Sequence, residues 1–304
     1  MMVQCSSGSA LALTGFSGRV DHSRTNEDGQ LQFPIRLTPH LEFFDDETPL
    51  SYAVRLAAFH TDGPVRRFLA DYGISLSRLK SGDPETTQCL ANIAGADPAR
   101  LQANAITADG EEWRLRGERF HVHSLLRRTG HVCAECLFED LQQRQHPDLA
   151  YLRERWAWRF GVVTACPVHE VALTDAMIDP RMVMNGVLMP LLVGRWCEFM
   201  TAAAGRSRRS PTLLQRYLLN RLQGRRGPDW LDSQPLDQVI WGCENLGIVL
   251  LEGPRSGKRG VDSDTLDRAR TIGFDVASPG GGRYSPSLGS NSVSGRSTAR
   301  HLWS

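Results

Sequence analysis

Lysine is nearly missing from this chain: only Lys80 and Lys258 occur, so almost all of its 35 basic residues are arginine. Arginine favours planar, two-pronged contacts to phosphate or carboxylate, although a GC-rich coding sequence produces the same bias. A charge excess is missing as well. With 34 acidic residues the net charge is +1, which lacks the large basic surplus of a typical nucleic-acid binder. No apolar run is long enough to span a bilayer; VLMPLLV around Met189 is among the longest. The start shows no basic n-region with a cleavable small-residue site, and the seven cysteines are an odd number spread over 304 residues. A disulfide-stapled secreted peptide is thereby excluded, and the expectation is a soluble, cytoplasmic protein in a reducing compartment. Internal repeats and recognisable Ser, His and Asp or paired-carboxylate settings are also absent, so nothing here points to an enzyme. GPRSGKRG around Lys258 lacks the glycine spacing and the Ser or Thr of a phosphate loop, and reads as a basic turn.

What is present is mostly helix punctuation. Thr48 and Pro49 open LSYAVRLAAFH, with Leu50, Val54, Ala57 and Ala58 on one face; Pro64 begins VRRFLADY and Gly73 closes it. Ser210 and Pro211 start TLLQRYLLNRLQ, whose buried stripe is Leu214, Tyr217, Leu218 and Leu222, and Gly224 ends it. Pro235 starts another helix, with Gly247 as its stop and IVLLE near Leu250 as a strand; WRLRG near Leu115 is a second strand candidate. The fold class is therefore mainly α. A disordered leader is expected over 1–32, a helical part with a helix-turn-helix-like segment over 33–125, and a zinc-binding lobe over 126–175. A helical carboxy-terminal region follows over 176–276, then a Ser- and Gly-rich tail over 277–304.

In ETTQCLANIAGADPARLQANAI, Ala91 and Gly95 are four apart and Leu101 lies six further on. A small residue suits a close helix crossing, a glycine suits a left-handed turn, and an apolar residue lets the second helix plug back into the first. Asp97 and Pro98 would cap and open that second helix. Asn104 departs from the pattern, standing where an apolar residue is common. Arg100, Gln102 and Asn104 could read base edges, yet a single cation attracts phosphate weakly, and a solvated or protein-docking face is the plainer reading. Arg208, Arg209, Arg225 and Arg226, in GRSRRS and LQGRRG, are solvated by default and could otherwise touch a phosphate backbone.

The chemistry-bearing pattern is a pair of pairs. Cys133 and Cys136 in HVCAECLFED are followed some thirty residues later by Cys166 and His169 in VVTACPVHEV, at the same spacing. Each knuckle can supply one edge of a tetrahedron, so the four residues together suit one structural Zn2+. A redox CxxC or simply buried thiols would leave Cys166 and His169 unexplained. A catalytic zinc would need an open position beside an acid such as Glu135 or Glu139, but four ligands close the site. His121, His123 and His131 are spare imidazoles. Between the pairs, Trp156, Trp158 and Phe160 alternate with Arg153, Arg155 and Arg159; core aromatics flanked by solvated arginines is favoured over an exposed binding face.

The succession FPIRLTPHLEFFDDETPLSYAVRLA, the helix-turn-helix-like segment, HVCAECLFED, YLRERWAW and ACPVHEVAL resembles the TniQ family, strongly over Pro34 to Leu173 and more faintly through GIVLLEGP and ARTIGFDVASPG. The resemblance implies a non-catalytic adaptor of transposition. It would link target recognition, through target DNA or an RNA-guided targeting complex, to an AAA+ ATPase, and a homodimer is compatible with it. It also implies that Cys133, Cys136, Cys166 and His169 match the family's first zinc knuckle set. Thr48, Pro49 and the helix from Leu50 to His60 correspond to its amino-terminal docking region. Many relatives carry a further cysteine pair after the histidine, where this chain reads EVALTDAMIDPRMVMNG; Cys197 and Cys243 form no such pair in the sequence. Two competing readings remain: a zinc-containing helix-turn-helix transcription regulator that occupies a palindromic site as a dimer, and a zinc hydrolase with an open coordination position.

Overall fold

The computed structural model describes residues 36–121, 130–142, 144, 146–176, 178 and 187–278. The leader, His123 and the tail beyond Ser278 lie outside these residues. The described chain is mainly helical, with twelve α-helices, one 3-10 turn and two small antiparallel sheets.

The first apolar core is built by five helices: α1 (Pro49–Thr61), α2 (Val65–Asp71), α3 (Leu76–Lys80), α4 (Pro84–Ala94) and α5 (Pro98–Ala103). Their ends follow local chemistry. Thr48 Oγ1 accepts the Ser51 N–H at 3.1 Å with Pro49 in the first turn, and Asp83 and Asp97 cap α4 and α5 in the same manner. Gly73 and Gly95 both take φ of +68°, the left-handed conformation that glycine adopts at least cost. Ala91 and Leu101 are fully buried where α4 and α5 pack. Helix α1 is buried around its whole circumference from Pro49 to Ala57, rather than along one stripe. The reason is that α2 to α4 pack on it while its polar Ser51 and Arg55 face the next part of the chain.

The second core runs from Leu115 to Ala277. It begins with a meander of β1 (Thr107–Asp109), β2 (Glu112–Leu115) and β3 (Glu118–His121), pairing Trp113 with Phe120, so the strand expected near Leu115 is present. Then come β4 (His131–Val132), α6 (Ala134–Leu141), the 3-10 turn Trp156–Arg159 and β5 (Thr174–Asp175). Six helices complete it: α7 (Leu188–Val193), α8 (Trp196–Ala204), α9 (Leu213–Leu222), α10 (Asp229–Asp232), α11 (Leu236–Glu252) and α12 (Ser263–Ala277). The stripe Leu214, Tyr217, Leu218 and Leu222 is buried as its spacing requires.

IVLLE is the end of α11, not a strand, and Gly247 lies inside that helix instead of stopping it. Two glycines explain the departure. A Cβ on Gly247 would lie 1.8 Å from the Ala269 carbonyl oxygen, and one on Gly273 would lie 1.9 Å from that of Cys243. The backbones of α11 and α12 therefore meet directly, and Gly247 serves close approach rather than termination.

A polar seam joins the two cores. The Glu47 and Arg155 backbones form an antiparallel bridge, Thr48 N–H donates to the Glu154 carbonyl at 3.2 Å, and Trp156 donates through both nitrogens to Asp45 and Asp46 carbonyls. Within it Glu47 accepts from Ser51 Oγ at 2.9 Å and from Arg55 Nη1 at 2.7 Å, fully out of water. Burial pushes the Glu47 carboxyl up to about 7, against the downward pull of Arg55, Ser51 and Arg153. Below pH 4.5 folded and unfolded chains both hold that proton; between there and 7 the unfolded chain releases it first, so rising pH removes stability. The unfolding free energy of wild type minus that of Glu47→Gln is expected to fall by about 3 kcal/mol between pH 4.5 and 7.5. Denaturant titrations at the two pH values measure it, and a difference that stays flat refutes the assignment.

Candidate metal centre

Cys133 follows β4 directly and stands at the N-cap of α6, which carries Cys136 one turn on. The second knuckle is a tight hairpin: Ala165 pairs with Ala172, Cys166 N–H donates to the Val171 carbonyl at 2.9 Å, and Glu170 closes the turn with φ of +50°. Inside it the His169 N–H points at Cys166 Sγ, 3.5 Å away. Helix α9 holds this hairpin in place. The buried carboxamide of Gln215 donates to the Ala165 carbonyl at 2.7 Å and accepts from the Thr164 and Ala165 N–H groups.

These supports bring four donor atoms together. Cys136 Sγ lies 3.6 Å from Cys166 Sγ, and His169 Nδ1 lies 3.6, 3.4 and 3.5 Å from the sulfurs of Cys133, Cys136 and Cys166. All four atoms lie within 4.8 Å of one another. A tetrahedral zinc site has edges of about 3.8 Å between sulfurs and about 3.6 Å between sulfur and nitrogen, so the spread fits one ion of that size. The three cysteines are buried and His169 is partly so, which suits a closed site.

Electrostatics agree with ligation. Hydrogen bonds from the Cys133 and Cys136 thiols hold the Cys166 thiol well below its ordinary pKa, while bonds to Cys133 and Cys166, together with burial, push Cys136 far up. Three thiols crowded this closely share their protons, and a divalent cation relieves the crowding by replacing them. Burial opposes a charged His169, yet its bonds to Glu139 and Cys166 outweigh that and raise its pKa.

Glu139 is the site residue that sequence reading assigned to another role. It was a candidate acid, but its Oε1 lies 2.9 Å from His169 Nε2, on the side of the ring away from the cluster. There it fixes the imidazole orientation that aims Nδ1 at the sulfurs. The signal was available: Glu139 is three residues past Cys136 and so shares its face of α6. Glu135, the other candidate acid, is paired with Arg206. His121 pairs with Glu111 at 3.1 Å, and neither it nor His131 joins the cluster.

Trp156, Trp158 and Phe160 are core residues, as favoured. Their arginine neighbours are not solvated. Arg153 and Arg155 both grip the buried Asp140 of α6, at 2.7 and 2.9 Å, and both reach Asp46; Arg159 pairs with Glu154. These pairs tie the first knuckle to the seam, and burying Asp140 without them would be costly.

The nucleic-acid candidates have unequal fates. Asn104 is buried, and its amide donates to the Asp45 and Glu47 carbonyls at 2.8 and 3.0 Å. Gln102 donates to the Gly82 carbonyl, and Arg100 pairs with Asp45 at 2.7 Å. Arg100 and Asn104 are thus spent on the segment before α1, and Gln102 on the turn between α3 and α4. Arg209 pairs with Asp264 and Asp267, whereas Arg208, Arg225 and Arg226 are exposed. Lys258 pairs with Glu244 at 2.6 Å, in keeping with a basic turn.

The fold is thus a mainly helical domain with a Cys3His cluster that could hold one metal ion in a closed, structural arrangement. The TniQ family model matches residues 38–173 of the chain. No curated protein matches the chain. The match ends at Leu173, so helices α7 to α12, which finish the second core, lie beyond it. Among the described residues no helix is long and apolar enough to cross a membrane.

Proposed function

We propose that this chain is a non-catalytic transposition adaptor whose TniQ segment is stapled by one Zn2+ on Cys133, Cys136, Cys166 and His169, and which couples target recognition to an AAA+ transposition ATPase. The observation carrying this reading is the four-donor cluster lying inside the family segment, with Glu139 orienting its histidine. Four protein donors leave no position for a catalytic water, which disfavours the hydrolase. The commitment of Arg100, Gln102 and Asn104 to internal partners disfavours the helix-turn-helix regulator, whose second helix must face a groove. Target DNA or an RNA-guided complex supplies the recognition step.

Co-purification tests the reading. Tagged full chain, produced with zinc and co-expressed with an AAA+ transposition ATPase, is expected to retain that ATPase and to carry one zinc per chain. Metal-replete chain that retains no such ATPase overturns the adaptor role.

A further inference from the structure

Between Glu198 and Asp229 the chain has no carboxylate and seven arginines: Arg206, Arg208, Arg209, Arg216, Arg221, Arg225 and Arg226. The fold sorts them. Arg206 is neutralised by Glu135, Arg209 by Asp264 and Asp267, and Arg221 by Glu118 at 2.8 Å. Arg208, Arg216, Arg225 and Arg226 are exposed, with no carboxylate of the described residues in ion-pair range. Arg216 belongs to this set although no short sequence cluster contains it.

Their setting is a helix with two different faces. The inner face of α9 carries Gln215 and the buried leucines, and holds the second metal knuckle. Its outer stripe is Leu213, Arg216 and Asn220, three and four residues apart and all exposed. Arg225 folds back onto this stripe, donating to Asn220 Oδ1 at 3.3 Å, and Arg226 follows it; Arg208 precedes the helix.

We infer that the outer face of α9, through Arg208, Arg216, Arg225 and Arg226, docks the phosphate backbone of duplex DNA. This rests on the adaptor reading and names the surface by which such a protein would touch its target. Charge selects the occupant. A helix of ten residues is about 15 Å long, and a duplex presents one phosphate per roughly 1.7 Å of axis, so Arg216 on the stripe and the exposed arginines that flank the helix in the chain would meet a ready line of acceptors. A protein partner would need an apolar anchor at the centre of the patch, and the stripe offers only Leu213, 38% exposed and at the first turn of the helix. With no base-reading group on the stripe besides Arg216 and Asn220, the contact positions the protein without selecting sequence.

Fluorescence anisotropy with a labelled 30-base-pair duplex tests the inference on metal-replete full chain across a salt series. Four phosphate contacts predict that log affinity falls against log salt with a slope of about −3.6. Arg216→Gln and Arg225→Gln should each bring that slope about one unit nearer zero, whatever the duplex sequence. Arg209→Gln and Arg100→Gln, which remove cations already paired, should leave it unchanged. Undisturbed slopes in Arg216→Gln and Arg225→Gln, or tighter binding of polyglutamate than of duplex, overturn the DNA face. ATPase retention by the same variants keeps this failure separate from failure of the adaptor role.

Discussion

Replacing Cys136 with serine is expected to unfold the second core up to the reach of its metal site, not merely to empty the site. The cluster sits among the residues of that core: Val132, Cys133, Ala134, Cys136 and Leu137 are all buried in it, and α9 packs on the opposite knuckle. Apparent binding free energies of structural zinc are on the order of 10 kcal/mol at neutral pH, comparable to the whole stability of a domain. A serine hydroxyl is a poor ligand and leaves the remaining thiols crowded without a cation. The melting transition should broaden and fall by tens of degrees (~20 °C or more), and a strong chelator should do the same to the wild type. Glu139→Gln is the graded companion. It keeps the four ligands but weakens the acceptor opposite His169 Nε2, so metal affinity should drop about 10- to 100-fold while the metal-saturated chain melts nearly as the wild type. Competition with a chromophoric chelator reads the first quantity and calorimetry the second. If zinc-supplemented wild type carries no ion, or if Cys136→Ser melts like the wild type, the metal assignment fails.

The second large effect is expected at a residue with no chemistry. Alanine is the better helix former by about 1 kcal/mol, so propensity alone predicts that Gly273→Ala stabilises α12. Contact geometry predicts the reverse. A Cβ at 1.9 Å from the Cys243 carbonyl, on a backbone that cannot rotate away, forces the two helices apart. Overpacking of this kind costs typically 1–3 kcal/mol, and with both sides backbone the loss here should be about 3 kcal/mol or more. Gly247→Ala should behave alike, and Gly257→Ala, where nothing lies within 4 Å, should be near neutral. Chemical denaturation of the three variants separates the effects; a stabilised Gly273→Ala would mean that the helices do not cross at these glycines.

Several features were legible because they are written within four residues of chain. The two knuckles, the Thr48 and Asp97 caps, the left-handed Gly73 and Gly95, and the buried stripe of α9 all depend on local spacing and backbone preference. The same local rules misassigned Gly247, because a glycine that ends a helix and one that admits a second helix look alike in sequence. They also left Arg153 and Arg155 solvated, since Asp140 and Asp46 come from other parts of the chain.

The candidate metal ligands were thus legible in the sequence itself: a tetrahedral edge needs two donors a turn apart, and that spacing is visible along the chain. Tertiary structure alone decided what surrounds them. Arg209 and Arg208 are neighbours in sequence, yet one meets Asp264, fifty-five residues away, and the other meets solvent. Asn104 looks like a base reader until the fold closes Asp45 and Glu47 over its amide. Charge neutralisation and burial are pairwise properties of distant segments, so they come into being only when the chain has packed.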